Sequence, residues 1–413
     1  MSDNCLQFLR YQKIYEHADA YQGCNSGKSC KLGAQADSAD RDGWIVQEKV
    51  HGSNFSVYAS ESSGGGTTVR YAKRNGFLNL ELDCFYDFQQ LDDGLRGKVT
   101  ELWSLIKTGY SSAIQISVYG ELFGGYLPSE QDVEKAKGSW KALFESRVKA
   151  GAGDQHRSGA ASPLKSGPVQ EGVYYSESLN FIVFDIAVLL REASLVFLGH
   201  EQVKKLCQQV GLLASEALLS TQKYAEAANF DVSKLVSPLA LTLASHGRNS
   251  KPVPKLVQDF LEKENLAEGV IIRPAGSITF SVQLGSSPNT VAMPSRLLLK
   301  RKNPRFAEEI ENCNSGQSAT AEAQFRMWIL TLVNQNRLSA VLSKDLGNPP
   351  SNVSQQQLDR QAWKAEAVEQ FRADVWESFW EKGWDLGQVD FDAADGFVGV
   401  ACERTVRERL GEA

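Results

Sequence analysis

The chain is predicted to be an α+β protein, with strands and helices in its larger part and a helical region at its C-terminal end. Three observations predict this. Short apolar segments bounded by glycine or polar turns recur between residues 43 and 302. Stretches of helical character separate them. After Phe306 the strand-like segments stop and helix-like ones take over.

Residues 43–59 (GWIVQEKVHGSNFSVYA) read as extended segments broken at His51-Gly52. A turn at Ser62-Ser63-Gly64-Gly65-Gly66 makes residues 53–73 a β-hairpin. A short helix near 99–107 precedes an apolar strand at 114–122. Residues 128–172 change character, and 150–170 (rich in Gly, Ser, Ala and Pro) read as a mobile surface insertion. The strand NFIVFDIAVLL at 180–190 resumes the core. Strict alternation along it places Ile182, Phe184 and Ile186 on one face and Phe181 on the other. Helical stretches near 200–210 and 254–264 follow, then strands at EGVIIRP and LLLKRK. In the tail, residues 318–340 carry few helix breakers. Residues 354–382 open on a Ser354…Gln357 capping box. Leu358, Ala362, Ala365, Val368, Phe371, Val375 and Phe379 there share one face.

A chain of 413 residues exceeds one ordinary core. The boundaries read as a first domain over 1–306, with its insertion at 128–172, and a helical domain over 307–413. With 42% hydrophobic and 23% charged residues it is neither fibrous, wholly disordered nor a membrane bundle. No apolar run approaches the roughly 20 residues a bilayer demands. The seven cysteines are scattered and lack a C-x-x-C pair, which suits reduced thiols better than disulfides or zinc. With no leader visible in the first twenty residues, the expected setting is cytoplasmic or nuclear. A net charge of −6 excludes indiscriminate nucleic-acid binding but allows a local basic groove.

The segment Glu48-Lys49-Val50-His51-Gly52-Ser53-Asn54 carries the chemistry. A lysine at a strand end before a glycine turn can project its amine into a pocket, where desolvation makes it a nucleophile. A lone lysine is more often a solvated charge, but five further blocks follow in order. They are Lys73-Arg74-Asn75-Gly76, Tyr119-Gly120-Glu121-Leu122-Phe123-Gly124, Phe181–Ile186, Glu268–Pro274 and Leu299–Asn303. Taken singly, Glu121, Phe184, Glu268 and the Lys300–Lys302 pair read as edge charges or core residues. Taken jointly, coincidence has about one chance in twenty or less.

At these blocks the sequence resembles the covalent nucleotidyltransferase superfamily of ATP-dependent ligases and capping enzymes. Within it the chain is similar to the bacteriophage-type RNA ligase 2 family, which includes the kinetoplastid RNA-editing ligases. His51 discriminates, because DNA ligases and capping enzymes usually carry aspartate there. The resemblance covers roughly residues 9–306, apart from 128–172 and a poorly matched stretch at 190–262.

The resemblance implies an ATP-grasp-like nucleotidyltransferase pocket between two antiparallel sheets. Lys49 would form lysyl-AMP, His51 would act beside the triphosphate, and Arg74 would lie near the ribose and the RNA phosphate. Glu121 would bind the ribose hydroxyl and Phe184 would stack on adenine. Glu48 and the Val50 backbone would flank the adenine edge, and Asn54 would line the nucleotide site. Glu268 would work with magnesium, for which manganese can substitute. Lys300 and Lys302 would neutralise phosphates. Glu16 aligns loosely with an adenine contact. Arg296, Arg301 and Arg305 are read as basic RNA-facing or solvent-exposed residues, while His17, His156, His200 and His246 receive no role.

The implied partner is RNA with 5′-phosphate and 3′-hydroxyl ends, in a nicked duplex, with a protein partner for substrate binding as a further expectation. Two other readings stand beside it. One is a nucleotide-binding RNA scaffold without catalysis, which has no chemical need for the Lys49, Glu121, Glu268, Lys300 and Lys302 set. The other is a DNA ligase, which His51 and the lack of alternating strands in the tail disfavour.

Overall fold

The protein's structure, a computed structural model, describes residues 6–12, 14–16, 42–81, 83, 85–135, 169, 172–245, 252–277, 280–281, 294–306, 325–346 apart from 327, 330 and 331, 356–381, 386 and 389–410. Two sheets dominate the first three hundred residues. One contains β1 (Tyr15–Glu16), β2 (Trp44–Glu48), β10 (Ala217–Thr221), β11 (Gly269–Pro274) and β14 (Leu299–Lys302), in the order β1-β14-β11-β2-β10. The other contains β3 (Ser53–Glu61), β4 (Thr67–Lys73), β5 (Gly76–Phe77), β6 (Ala113–Gly124), β7 (Leu179–Leu190) and β8 (Leu195–Phe197), in the order β5-β4-β3-β6-β7-β8. A short β9 (Leu213–Ala214) adds to β7 in parallel, and β12 (Phe280–Ser281) pairs with β13 (Pro294–Ser295) in a separate two-stranded sheet. The pairs that build each sheet are otherwise antiparallel, save β1 against β14.

The hairpin at 53–73 forms as expected, closed by the Ser62 N–H donating to the Gly66 carbonyl and by Gly65 at φ +83°. The helix expected near 99–107 is longer, running as α1 over Asp92–Gly109. Gly94 and Gly97 disguise its first turns in the sequence. Asp92 and Asp93 favour its N-terminal dipole, and Asp92 also accepts from the Tyr71 hydroxyl and Arg96. Its Leu95, Val99, Leu102, Trp103 and Ile106 pack on one side of the second sheet with Phe55, Val57, Phe181, Val183, Ile186 and Val188.

Alternation along β7 is broken, which corrects the expected face of Ile186. Tyr119 pairs with Asp185 but the next residue, Gly120, pairs with Val183, so Phe184 is an extra residue on β7. The bulge shifts the phase. Phe181, Val183, Ile186 and Val188 join the α1 side, whereas Phe184, Ala187 and Leu189 join Tyr11, Tyr58 and Tyr119 on the opposite face.

Of the 128–172 stretch, Glu130–Lys135 forms a helix whose Val133 packs with Tyr126, Tyr174 and Phe260. Residues 136–168 and 170–171, the bulk of the expected insertion, lie outside the described residues. In the tail, helices Gln335–Asp345, Gln356–Glu381 and Phe391–Arg409 surround a cluster that includes Phe325, Ile329, Leu338, Phe371, Val375, Phe379, Val398 and Val406. Residues 318–340 are not one helix: Asn334, extended and capping through Arg337 N–H, starts a new one. Ala362 and Ala365 are exposed, and among the described side chains the buried face of the long helix begins instead with Trp363 and Ala367. Ser354 and the Leu358 side chain fall outside the described residues. Among the described residues no helix is long and apolar enough to cross a membrane.

Candidate functional site

The chain leaves the first sheet at Glu48, the end of β2, and enters the second at Ser53, the start of β3. Lys49 to Gly52 are that crossover. Lys49 is fixed at its backbone, where its N–H donates to the Gly269 carbonyl at 2.9 Å. Both glycines permit close approach. A Cβ on Gly52 would lie 2.2 Å from the Leu122 carbonyl oxygen and 2.8 Å from Glu121 Cγ. A Cβ on Gly269 would lie 2.1 Å from the Arg301 carbonyl oxygen. The residue after His51 and the residue after Glu268 therefore have to be glycine.

Glu268 is the electrostatic centre of the site. Its Oε2 accepts from Lys49 Nζ at 2.6 Å and lies 3.1 Å from His51 Nδ1. Its backbone carbonyl accepts the Asn303 N–H, and Asn303 in turn donates its side-chain amide to the Val232 carbonyl. Burial pushes the Glu268 carboxyl upward, but Lys49, His51 and Lys302 outweigh it and hold the group well below the usual carboxylate range. The His51 ring also packs on Phe306, with centroids 5.4 Å apart.

Lys300 and Lys302 occupy alternate positions of β14, beside β11, with Lys302 registered against Gly269 and Lys300 against Ile271. Lys300 also pairs with Glu16 of β1, whose side chain lies outside the described residues. Glu121, half-buried on β6, is registered against Asn54 of β3 and abuts Gly52. Arg74 lies half-buried in the tight turn between β4 and β5. Phe184 packs against Tyr11 with centroids 5.0 Å apart. Lys49, His51, Glu268 and Lys302 thus converge around one carboxylate, and Glu121 borders the same turn. Arg74 and Phe184 belong to the second sheet.

Glu48 faces away from Lys49. Its carboxylate accepts from the Ser237 hydroxyl at 2.6 Å and the Leu239 N–H at 3.0 Å, at the start of helix Pro238–Ser245. Burial raises its pKa to about 7 despite these bonds. The Val50 side chain is buried with Phe123, Val173, Tyr175 and Ile182.

The arginines of β14 and its approach do not form an RNA-facing surface. Arg301 turns to the back of its sheet and donates to the Ala228 and Phe230 carbonyls. Arg296 is buried, donating to the Leu198 and Gly276 carbonyls. The Arg305 side chain lies outside the described residues. The alternation that points Lys300 and Lys302 one way sends Arg301 the other. Arg296 belongs to a buried network that sequence reading missed. Asp185 Oδ1 is 3.5 Å from Arg296 Nη1 and 3.4 Å from Arg273 Nη2, and Asp185 Oδ2 accepts the Tyr11 hydroxyl at 2.9 Å. Arg273 also donates to the carbonyl of the bulged Phe184 at 2.8 Å. This network ties β7 of one sheet to β11 of the other. Burial raises the Asp185 carboxyl to about 6, against the pull of Arg273. The visible signal was adjacency: Asp185 follows the aromatic, and Arg273 ends EGVIIR. His200, to which no role was given, is buried with Nδ1 3.4 Å from Gln47 Nε2.

The model of the family described as RNA ligase matches residues 42–287, more than half of the chain. Among curated proteins, the mitochondrial RNA-editing ligase 1 of Trypanosoma brucei brucei is 26% identical over 333 residues, covering 74% of this chain and 65% of that relative. The mitochondrial RNA-editing ligase 2 of the same organism is 28% identical over 201 residues, covering 48% of this chain and 43% of that relative. The chain therefore spans less than two thirds of the length of either. Among solved structures, a Naegleria gruberi RNA ligase with ATP and manganese aligns at 12% identity and a TM-score of 0.35, over 74% of this chain and 59% of its own. An archaeal ATP-dependent RNA ligase aligns at 14% identity and a TM-score of 0.34, over 97% and 64%. The family match runs through Lys49, His51, Arg74, Glu121, Phe184 and Glu268, and on it the chain belongs to the RNA ligase family.

Proposed function

We propose that the protein is an ATP-dependent RNA ligase that joins 3′-hydroxyl and 5′-phosphate ends through lysyl-AMP and RNA-adenylate intermediates. One observation carries this: Lys49 and His51 share the same oxygen of Glu268 at the crossover between two sheets. A solvated lysine has no need of such an arrangement.

In the first step the Lys49 amine attacks the ATP α-phosphorus. A P–N bond forms, and the bond to pyrophosphate breaks. An ammonium has no lone pair to offer, so Lys49 has to part from Glu268 and give up a proton to solvent as ATP enters. His51 then lies beside the departing phosphates, and Lys300 and Lys302 balance their charge. Glu121 binds the ribose, Phe184 stacks on adenine, and Asn54, Val50 and the Glu48 backbone line the nucleotide. In the second step an RNA 5′-phosphate oxygen takes the AMP, guided by Arg74. In the third the 3′-hydroxyl displaces AMP and closes the strand.

Glu268 fits a divalent cation as a hard, ionised oxygen ligand. Among the described residues no cluster of three ligating groups occurs, and Glu268 is the residue that would hold magnesium or manganese. Such an ion, when bound, offsets phosphate charge.

Residues 1–306 form the adenylyltransferase unit in this reading, and 307–413 a helical unit for RNA engagement, supported by the separate apolar cluster of the tail. The preferred substrate is a nick in a bridged duplex, because the bridging strand replaces a bimolecular encounter with positioning. The test is incubation with labelled ATP and magnesium, then with nicked RNA duplex and single-stranded RNA separately. A protein that forms no acid-labile AMP adduct, or that seals neither RNA, is not this enzyme.

A further inference from the structure

The segment that returns to the core at residues 172–176 runs directly beneath the crossover, and its Tyr175 has no part in the reading above. Tyr175 is buried, and its hydroxyl oxygen accepts the backbone N–H of His51 at 2.8 Å. Its own proton points to Glu48 Oε1, 3.5 Å away. That same oxygen takes the Ser237 hydroxyl at 2.6 Å. The ring is held edge-on to Phe123, with centroids 5.1 Å apart. The backbone is held as well. Asn265 accepts the Tyr174 N–H and donates to the Tyr174 carbonyl, while the Tyr126 N–H donates to the Ser176 carbonyl. A rigid phenol therefore reaches into the middle of the Lys49–Gly52 loop and fixes one of its peptide groups. Lys49 is pinned from the other side through Gly269.

We propose that Tyr175 is a positioning residue for lysine adenylation, a role that rests on the ligase reading of this site. Its hydroxyl, braced by Glu48 and Ser237, sets the loop so that Lys49 and His51 address the same point. It touches no reacting atom and acts only through His51. The hydroxyl stays protonated at neutral pH, because burial and the nearby Glu48 push its pKa well above the ordinary phenol value.

The experiment compares wild type with Tyr175→Phe in two reactions of the full chain: self-labelling from ATP, and sealing of RNA already carrying a 5′-adenylate, which bypasses the lysine. Removing the oxygen leaves the ring packing intact. The maximal self-labelling rate should fall about tenfold or more, with KM for ATP within about twofold. Sealing of the pre-adenylated strand should stay near wild type. Ser237→Ala, which loosens the brace without touching the ring, should lower self-labelling to a smaller extent and spare the bypass reaction likewise. Equal losses in both reactions would mean that Tyr175 merely holds the fold together, and an unchanged labelling rate in Tyr175→Phe would end the proposal outright. Failure of wild type to label at all would instead strike the ligase reading.

Discussion

Lys49 and Glu268 lie 219 positions apart in the chain, yet Nζ and Oε2 are 2.6 Å apart. The pair joins the crossover loop to the strand that flanks it, and the carboxylate is nearly excluded from water. Lys49→Ala should form no labelled protein–AMP adduct from ATP. An adduct of normal yield mapped to another lysine would overturn the assignment of the nucleophile. Glu268→Gln should slow self-labelling by about a hundredfold, since a neutral amide neither orients His51 nor offsets the charge the phosphates bring.

Two buried carboxylates should give opposite pH signatures. The folded-state pKa of Glu268 is depressed, so its stabilisation is present above the unfolded value of about 4.3 and is lost as pH falls through the folded one. The advantage of wild type over Glu268→Gln in thermal midpoint should therefore shrink below about pH 4. The Glu48 value is raised to about 7. Its contribution is full below about pH 4.3 and declines as pH rises through the folded value. Glu48→Gln should flatten that decline, and a parallel pH profile for mutant and wild type would contradict this sign.

Gly52→Ala should cost about 2 kcal/mol or more of stability and abolish self-labelling, because the added carbon would sit 2.2 Å from the Leu122 carbonyl oxygen. Thermal unfolding together with AMP labelling checks both. Ala at the exposed hairpin position Gly64, where nothing lies within 4 Å, is the control and should leave labelling unchanged.

A fragment ending near residue 310 keeps Phe306 against His51. It should still label itself with AMP but seal 5′-phosphorylated RNA poorly. Full sealing by the fragment would remove the tail from RNA engagement.

Sealing should be fastest at a bridged nick with ribonucleotides on the 3′-hydroxyl side, where A-form shape and the 2′-hydroxyl can be felt. DNA should be tolerated on the 5′-phosphate side. Nicked duplexes with single ribose-to-deoxyribose changes at the two terminal positions on each side measure this. Equal rates for DNA and RNA 3′ strands would argue against an RNA enzyme, and faster joining of unbridged strands against nick sealing.

Much of the site was legible because its residues occupy fixed places in short strands. Lys300 and Lys302 share a face by simple alternation, and the break at His51-Gly52 marks the change of sheet. What was not legible depends on three dimensions. No sequence pattern places Tyr175 under His51, since 124 positions separate them. The same holds for Arg296, a charge that looks solvent-bound until Asp185 is brought beside it. Gly94 and Gly97 weaken the helical signal of Asp92–Gly109, and burial of Leu95, Val99 and Leu102 overrides them.

The extra residue in β7 has a consequence for how tightly the pocket can be built. A regular strand offers a ligand every second side chain, spaced by nearly 7 Å. Here Phe184 and Asp185, neighbours in the chain, both serve the inner side: one packs on the Tyr11 ring and the other takes the Tyr11 hydroxyl. An apolar platform and an acid are thus delivered one residue apart. Deleting a single residue from FIVFDI would restore strict alternation, and an aromatic and an acid adjacent in the chain could no longer share the inner side, so this stretch tolerates substitution far better than any change of length.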